Sequence, residues 1–297
     1  MDYIELQWIN DEDSLKEALR LSLGCSGQQI KKYYSSKQQD HEIKKGELSK
    51  LPLDLVNHLQ INPNYQGPPI QVLKETDDYI AVHKPAFIHS HPHKYSDTNT
   101  VLNFLVQNNI WGPLMINTAN YDRGLLFRLD FETSGVLILA KTEKLLKEIR
   151  DHFKTEMKRK FYWAVVEGSF NQDGLWTHYF RSKGVKGSKQ KVFDRCIDES
   201  QEGTLSVLKL AESNDKSLLL INLKTGLRHQ IRAQIAHLGF PLLGDELYGG
   251  RKSERLFLHA LRYEWKDVIE DSGAELFDSF FDLNRALQMS HDVLRRF

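Results

Sequence analysis

The junction FRLDFETSGVLILAK, residues 127 to 141, constrains the fold of this chain more tightly than any other stretch. Val136 to Ala140 is an unbroken apolar run and reads as a buried strand. Directly before it stand Arg128, Asp130 and Glu132, then the turn-forming Thr133-Ser134-Gly135. Folding therefore has to set an arginine and two carboxylates at the lip of a core. Such a junction is either an ordinary loop with a surface ion pair or a site of chemistry.

From about residue 70 onward, strand and helix patterns alternate. YIAV (79–82) reads as a strand stopped by Lys84-Pro85. Thr142 reads as a helix N-cap with Glu143 in the first turn, and Leu145, Leu146, Ile149 and Phe153 share one face of that helix. FYWAVVEG and SLLLINL are strand patterns, and RLFLHALRYEW supplies a late strand. TGLRHQIRAQIAHLG suits a helix with Ile231, Ile235 and Leu238 turned inward and Gly239 closing it. Residues 276–297 read as a helix docked on the body. Together these predict an α+β fold.

Residues 1–70 differ in character, being rich in Gln, Lys and Ser. Leu15, Ala18, Leu19 and Leu23 fit one short amphipathic helix, and Ile30, Tyr33 and Tyr34 fit another. Pro63, Gly67, Pro68 and Pro69 form a breaker cluster that reads as a linker. The expected organisation is a small N-terminal appendage, 1–70, followed by a main domain, 71–297.

Positive and negative side chains balance to a net charge of +0, which excludes a generally basic nucleic-acid coat. The charge is nevertheless uneven. RSKGVKGSKQKVF carries Arg181, Lys183, Lys186, Lys189 and Lys191 with no acid, so it is either a solvated loop or a phosphate-contacting one. No apolar run approaches the ~20 residues of a membrane span, and MDYIELQWIN lacks the basic start and apolar core of a signal peptide. Cys25 and Cys196 lie far apart with no ligand-type spacing, so a reduced, cytoplasmic compartment is expected.

Three constellations invite chemistry. His89, His91 and His93, with His83 nearby, could offer imidazoles to zinc, but no acid or cysteine accompanies them closely and Pro92 interrupts the run. They read as ordinary loop histidines. Arg228 and Arg232, four apart on one helix face, make a seat for phosphate or carboxylate, or equally a solvent-facing pair. Asp130 and Glu132 are spaced about 6 to 7 Å apart in an extended segment, which permits a glycosidase-like acid pair.

In order along the chain, ETDDYIAVHKPAFIHSHP, RLDFETSGVLILAK, KFYWAVVEG, TGLRHQIRAQIAHLGFPLLGDELYG and the LHA of 258–260 resemble the motifs of the RluA-like pseudouridine synthases. That family isomerises uridines in ribosomal or transfer RNA. The resemblance covers residues 72 to about 263. It implies a pseudouridine synthase fold, a mixed and mostly antiparallel sheet flanked by helices, acting on RNA as a monomer without cofactor or metal.

By resemblance, Asp130 is the catalytic carboxylate, either nucleophile on C1′ or base toward a sugar proton. Arg232 matches the arginine that pairs with it, and Tyr162 the tyrosine that stacks on the target base. Arg128 matches an arginine that contacts RNA where the nucleotide is flipped out. Arg228, His229, Lys183 and Lys186 complete the expected substrate contacts, and Glu132 is expected to be loop surface. SGQQIKKYY faintly echoes the helix of an S4 RNA-binding domain, so 1–70 is expected to be a divergent appendage of that kind.

The chain also departs from the family pattern. Phe127 stands where His is usual, Phe87 where Gly is usual, Leu227 where Arg is usual and Gln234 where His is usual. The changes at Phe127, Leu227 and Gln234 motivate an alternative expectation, a catalytically silent RNA-binding or ribosome-assembly protein on the same fold.

Overall fold

The computed structural model describes residues 2–151, 159–184, 189–265, 268–271, 277 and 281. The chain divides into two compact units, Met1–Gly67 with His91–Arg123, and Pro68–Ser90 with Gly124–Phe297.

In the first unit, β1 (Tyr3–Gln7) pairs antiparallel with β2 (Leu48–Pro52), and the helices α1 (Leu15–Leu23), α2 (Gly27–Lys31), α3 (Ser36–Gln39), α4 (Leu53–Val56) and α5 (Val101–Gln107) accompany them. Ser14 caps α1 by accepting from the Glu17 N–H, and Gly24 ends it in a left-handed conformation. Leu15, Ala18 and Leu19 then face Trp8, Ile30, Ile43, Leu51 and Leu55 in a core of their own. That core is the reason for the 3–4 periodicity seen in the sequence.

The second unit is built on a ten-stranded sheet ordered β3-β4-β5-β11-β6-β10-β9-β7-β8, with β12 paired to β11. Its strands are β3 (Gln71–Glu75), β4 (Tyr79–Lys84), β5 (Ser134–Ala140), β6 (Arg159–Glu167), β7 (Gly174–Lys183), β8 (Lys189–Phe193), β9 (Gln201–Ser213), β10 (Lys216–Leu223), β11 (Leu258–Glu264) and β12 (Val268–Glu270). Among the described strands only β5 and β11 run parallel; the other pairings are antiparallel. Helices α6 (Glu143–Asp151) and α7 (Gln230–His237) belong to the same unit. The fold is therefore α+β, as the alternating patterns predict, with the mixed, mostly antiparallel sheet that the resemblance implies.

Period-two alternation divides β6 between two environments. Phe161, Trp163 and Val165 enter a core with Leu218, Leu220, Phe257, Leu261, Phe277 and Phe281. Tyr162, between them in sequence, takes the other face. Of the helix expected over 276–297, only Phe277 and Phe281 are described, and both pack in this core. Phe153 and Lys186 lie outside the described residues.

Candidate functional site

The Asp130 loop is immobilised through its backbone before any side chain is considered. The Leu129 carbonyl accepts from Ser90 Oγ (3.4 Å), and the Asp130 carbonyl from the Thr133 N–H (3.1 Å). The Phe131 carbonyl accepts from the Phe87 N–H (2.7 Å) and, at 3.4 Å, from Lys84 Nζ. Lys84 is fully buried and also donates to the Pro85 and Ile88 carbonyls, 2.9 Å each. Burial lowers its pKa to about 7, against the pull of Asp130 and Glu132.

The turn ends where β5 meets β11. Gly135 has φ +111°, and a Cβ there would lie 2.3 Å from the Ala260 carbonyl oxygen. Only glycine fits, so Gly135 is a geometric requirement of the parallel pair Ser134↔His259, Ala260↔Gly135. Below the loop, Arg255 Nη2 donates to Ser134 Oγ (2.7 Å), which lies 2.9 Å from His259 Nδ1. His259 Nε2 reaches the Asp271 carbonyl oxygen (3.2 Å), and the Asp271 carboxylate also bonds His83 Nδ1. Ser134 and His259 are fully buried, so this serine–histidine pair supports the loop and meets no substrate.

Arg232 projects from α7 toward the loop. Its Nε and Nη2 each donate at 2.8 Å to Asp245, whose carboxylate is fully buried, while Nη1 faces Asp130 Oδ2 at 3.5 Å and Glu132 Oε2 at 3.3 Å. Burial opposes the guanidinium charge, but the Asp245 hydrogen bonds and the three carboxylates outweigh it and raise the Arg232 pKa. Glu132 stays 38% exposed on the loop and is also a partner of Arg232, and the expected Arg232–Asp130 pair is present at 3.5 Å beside the shorter pair with Asp245. Asp245 lies in the GDELYG segment, and no charge pattern in the sequence ties it to Arg232.

His229 caps α7 in a left-handed conformation, φ +52°. The helix consequently starts at Gln230, and Arg228 precedes it, exposed, instead of sharing a helix face with Arg232. The Tyr248 hydroxyl accepts from the Gln190 N–H (2.9 Å) and lies 3.1 Å from His229 Nδ1, while His229 Nε2 is 3.8 Å from Asp130 Oδ2. Burial, together with the guanidiniums of Arg232 and Arg228, holds His229 below the usual imidazole range against the opposing Asp130 charge. His229 thus bridges the Tyr248 hydroxyl on Nδ1 and the Asp130 carboxylate on Nε2.

Tyr162 is 6% exposed, and its hydroxyl pairs with that of Tyr263 at 2.5 Å. Phe127 stacks on the Tyr263 ring, centroids 4.5 Å apart and planes 22° apart. The residue standing in place of histidine thus has a packing role. Phe87, at a position where glycine is usual, takes φ +64° and makes an edge contact with Phe131. Gln234 is fully buried and donates to the Trp176 carbonyl (3.0 Å) and to His178 Nδ1 (2.9 Å).

That last bond decides how another cluster reads. His178, Asp194 and His237 place ligand-type atoms within 4.8 Å of one another. The Gln234 amide is oriented by the Trp176 carbonyl and by accepting from Gln230 Nε2 (3.3 Å), so His178 Nδ1 must accept and Nε2 must carry the proton. A metal-binding imidazole needs the opposite arrangement, with its second nitrogen donating to an acceptor. His237 Nε2 lies 2.7 Å from Asp194, while His178 Nε2 is 3.8 Å from the same carboxylate and its ring meets that of His237 edge-on. The histidines of the HSHPH region are spread: His83 bonds Asp271, His89 packs on Phe131, and His91 and His93 contact each other in the first unit.

Of the expected site residues, Asp130, Arg232 and His229 meet directly, and the Asp130 charge acts on Tyr162. Arg128, Arg228 and Lys183 are exposed.

Residues 78–237, over half of the chain, match the family profile described as RNA pseudouridylate synthase, and the chain belongs to that family. It is 33% identical over 218 residues to ribosomal large subunit pseudouridine synthase D of Borreliella burgdorferi, covering 71% of this chain and 65% of that protein. An RNA pseudouridine synthase of Synechocystis, described as uncharacterized, is 30% identical, with 67% of this chain and 58% of that protein covered. The chain thus spans less than two thirds of the length of these two relatives. YhcT of Bacillus subtilis, an uncharacterized RNA pseudouridine synthase, is 28% identical with 86% and 85% covered. The structure of human RNA Pseudouridylate Synthase Domain Containing 1 shares the fold, with a TM-score of 0.56 at 20% identity over 74% of this chain and 94% of that one.

Proposed function

We propose that this protein isomerises uridines in ribosomal or transfer RNA to pseudouridine, with Asp130 as the reacting carboxylate. The observation that carries this reading is the unequal treatment of Arg232's partners. Asp245 is fully buried and held by two hydrogen bonds, whereas Asp130 is 28% exposed, held by its backbone, and only brushed by Arg232 and His229. A carboxylate fixed in place and open on one side suits attack at C1′ or removal of a sugar proton.

The reaction breaks the N1–C1′ bond, turns the uracil and rejoins it through C5; C5 loses a proton and N1 gains one. It consumes no cofactor. Tyr162 offers a flat ring to the extruded base. Arg128, Arg228, His229, Lys183 and Lys186 serve as RNA contacts, the exposed cations on phosphates. Residues 1–70 act as an appended RNA-binding element beside the catalytic region 71–297, and the protein works as a cytoplasmic monomer. Relatives named for ribosomal RNA support the substrate class, and no described helix is long and apolar enough to cross a membrane.

Mapping pseudouridines across total RNA with and without the protein tests the reading. Sites that vanish in its absence and return with wild type support it. An unchanged map with RNA binding retained would favour a silent RNA-binding protein on the same fold.

A further inference from the structure

The Tyr162–Tyr263 hydroxyl pair has a direction, and the direction assigns Tyr263 a role. Pairing of β11 with β6 shifts register between Ala260 and Arg262. Up to the shift, Leu258 and Ala260 lie opposite Ala164 and Tyr162; after it, Tyr263 lies opposite Lys160. The bulge turns an odd-numbered residue onto the face of Tyr162, which strict alternation would have sent to the other side.

Two hydroxyls at 2.5 Å share one hydrogen bond and leave one proton over. Tyr263 is fully buried, and among the described residues Tyr162 Oη is the hydrogen-bond partner of its hydroxyl. Were Tyr162 the donor, the Tyr263 proton would be stranded in the core without an acceptor among the described residues. With Tyr263 as donor, the spare proton is that of Tyr162, the less deeply buried of the two and the one that feels the Asp130 charge. Phe127, stacked on Tyr263, holds the donor ring in place.

We propose that Tyr263 is a positioning residue for Tyr162: it donates to the Tyr162 oxygen, fixes that ring and directs the Tyr162 hydroxyl proton toward the bound uracil. Tyr162 then acts as a hydrogen-bond donor as well as a stacking platform. Burial, and less strongly the Asp130 charge, raise its pKa despite the opposing Tyr263 hydrogen bond, which keeps the proton in place at neutral pH. This inference rests on the proposed reading of Tyr162 as the residue against the target base.

The test uses the 297-residue chain labelled with tyrosine carrying ¹³C at Cζ, and RNA tritiated at uridine C5 from cells lacking the protein. The Cζ resonance that disappears in Tyr162→Phe is expected to shift in Tyr263→Phe. Single-turnover tritium release is expected to fall about fivefold in Tyr263→Phe, with RNA retention on filters unchanged. Adding Tyr263→Phe to Tyr162→Phe should not slow the residual rate further. An unmoved resonance, or the same loss in the Tyr162→Phe background, would overturn the inference. Wild-type release by both Asp130→Asn and Tyr162→Phe would remove the reading of the site itself, and the inference with it.

Discussion

The Asp245 turn and the Asp130 loop hold carboxylates against the same guanidinium, and they hold them differently. Asp245 is 1% exposed, and each of its oxygens accepts from Arg232. Gly244 before it has φ +83°, and a Cβ there would come within 1.8 Å of the Arg255 carbonyl oxygen, so the turn is pressed flat against its neighbour. Asp130 instead sits in a loop held by hydrogen bonds to the carbonyls of residues 129, 130 and 131, and its side chain meets Arg232 only at 3.5 Å and His229 at 3.8 Å. A carboxylate whose lone pairs are filled is structure. One whose position is fixed by other atoms keeps its lone pairs for chemistry.

The largest expected effect breaks the structural half of this comparison. Asp245→Asn leaves the Arg232 charge buried with its main partner gone, and should lower stability by about 3–5 kcal/mol in urea unfolding. Asp130→Asn in the same assay should shift it by less than about 1 kcal/mol. Equal shifts would mean that the two acids are not differentiated.

Next in size is the support beneath Ser134. Burial lowers the His259 pKa to about 4, with the His83 and Arg255 charges adding to burial and Asp271 opposing. Unfolded, the imidazole titrates near 6.5, so between 6.5 and 4 the unfolded chain binds a proton that the folded one refuses. The contribution is present above pH 6.5 and is lost as pH falls toward 4, by at most roughly 3 kcal/mol. Urea midpoints followed from pH 7 to 4 should decline more steeply in wild type than in His259→Gln; parallel declines would contradict the assignment.

Lys84→Met should cost about 1–3 kcal/mol by leaving loop carbonyls without their donor. It should also slow tritium release, because the Phe131 carbonyl next to Asp130 is released. The smallest effect expected is from Glu132→Gln, a change in rate of less than about tenfold, since Glu132 shares Arg232 with two other acids. A loss as deep as that of Asp130→Asn would reinstate the paired-carboxylate chemistry that the 130/132 spacing allows.

Local chemistry was legible in the sequence where the interaction is local. Val136–Ala140 is a strand, Thr142 Oγ1 accepts from the Leu145 N–H as a cap, and Gly239 closes α7 at φ +91°. The role expected of Asp130 comes from the family resemblance, since its position before a turn into the core equally suits a surface ion pair. Interactions that depend on chain reversal were not legible. Arg232 meets Asp245 only because the segment after α7 folds back, and Tyr263 reaches Tyr162 only through a bulge that no residue pattern announces. The helical spacing of Arg228 and Arg232 failed for a backbone reason, the left-handed His229 that delays the helix. Phe127 looked like a lost function and is a packing partner of Tyr263.

The central claim, that Asp130 rather than Asp245 or Glu132 is the reacting carboxylate, is tested most directly by release of tritium from C5-tritiated RNA by Asp130→Asn. The account predicts a folded protein with the wild-type urea midpoint, retained RNA binding and a rate reduced by at least about 10³-fold. Release at the wild-type rate from that folded variant would contradict it.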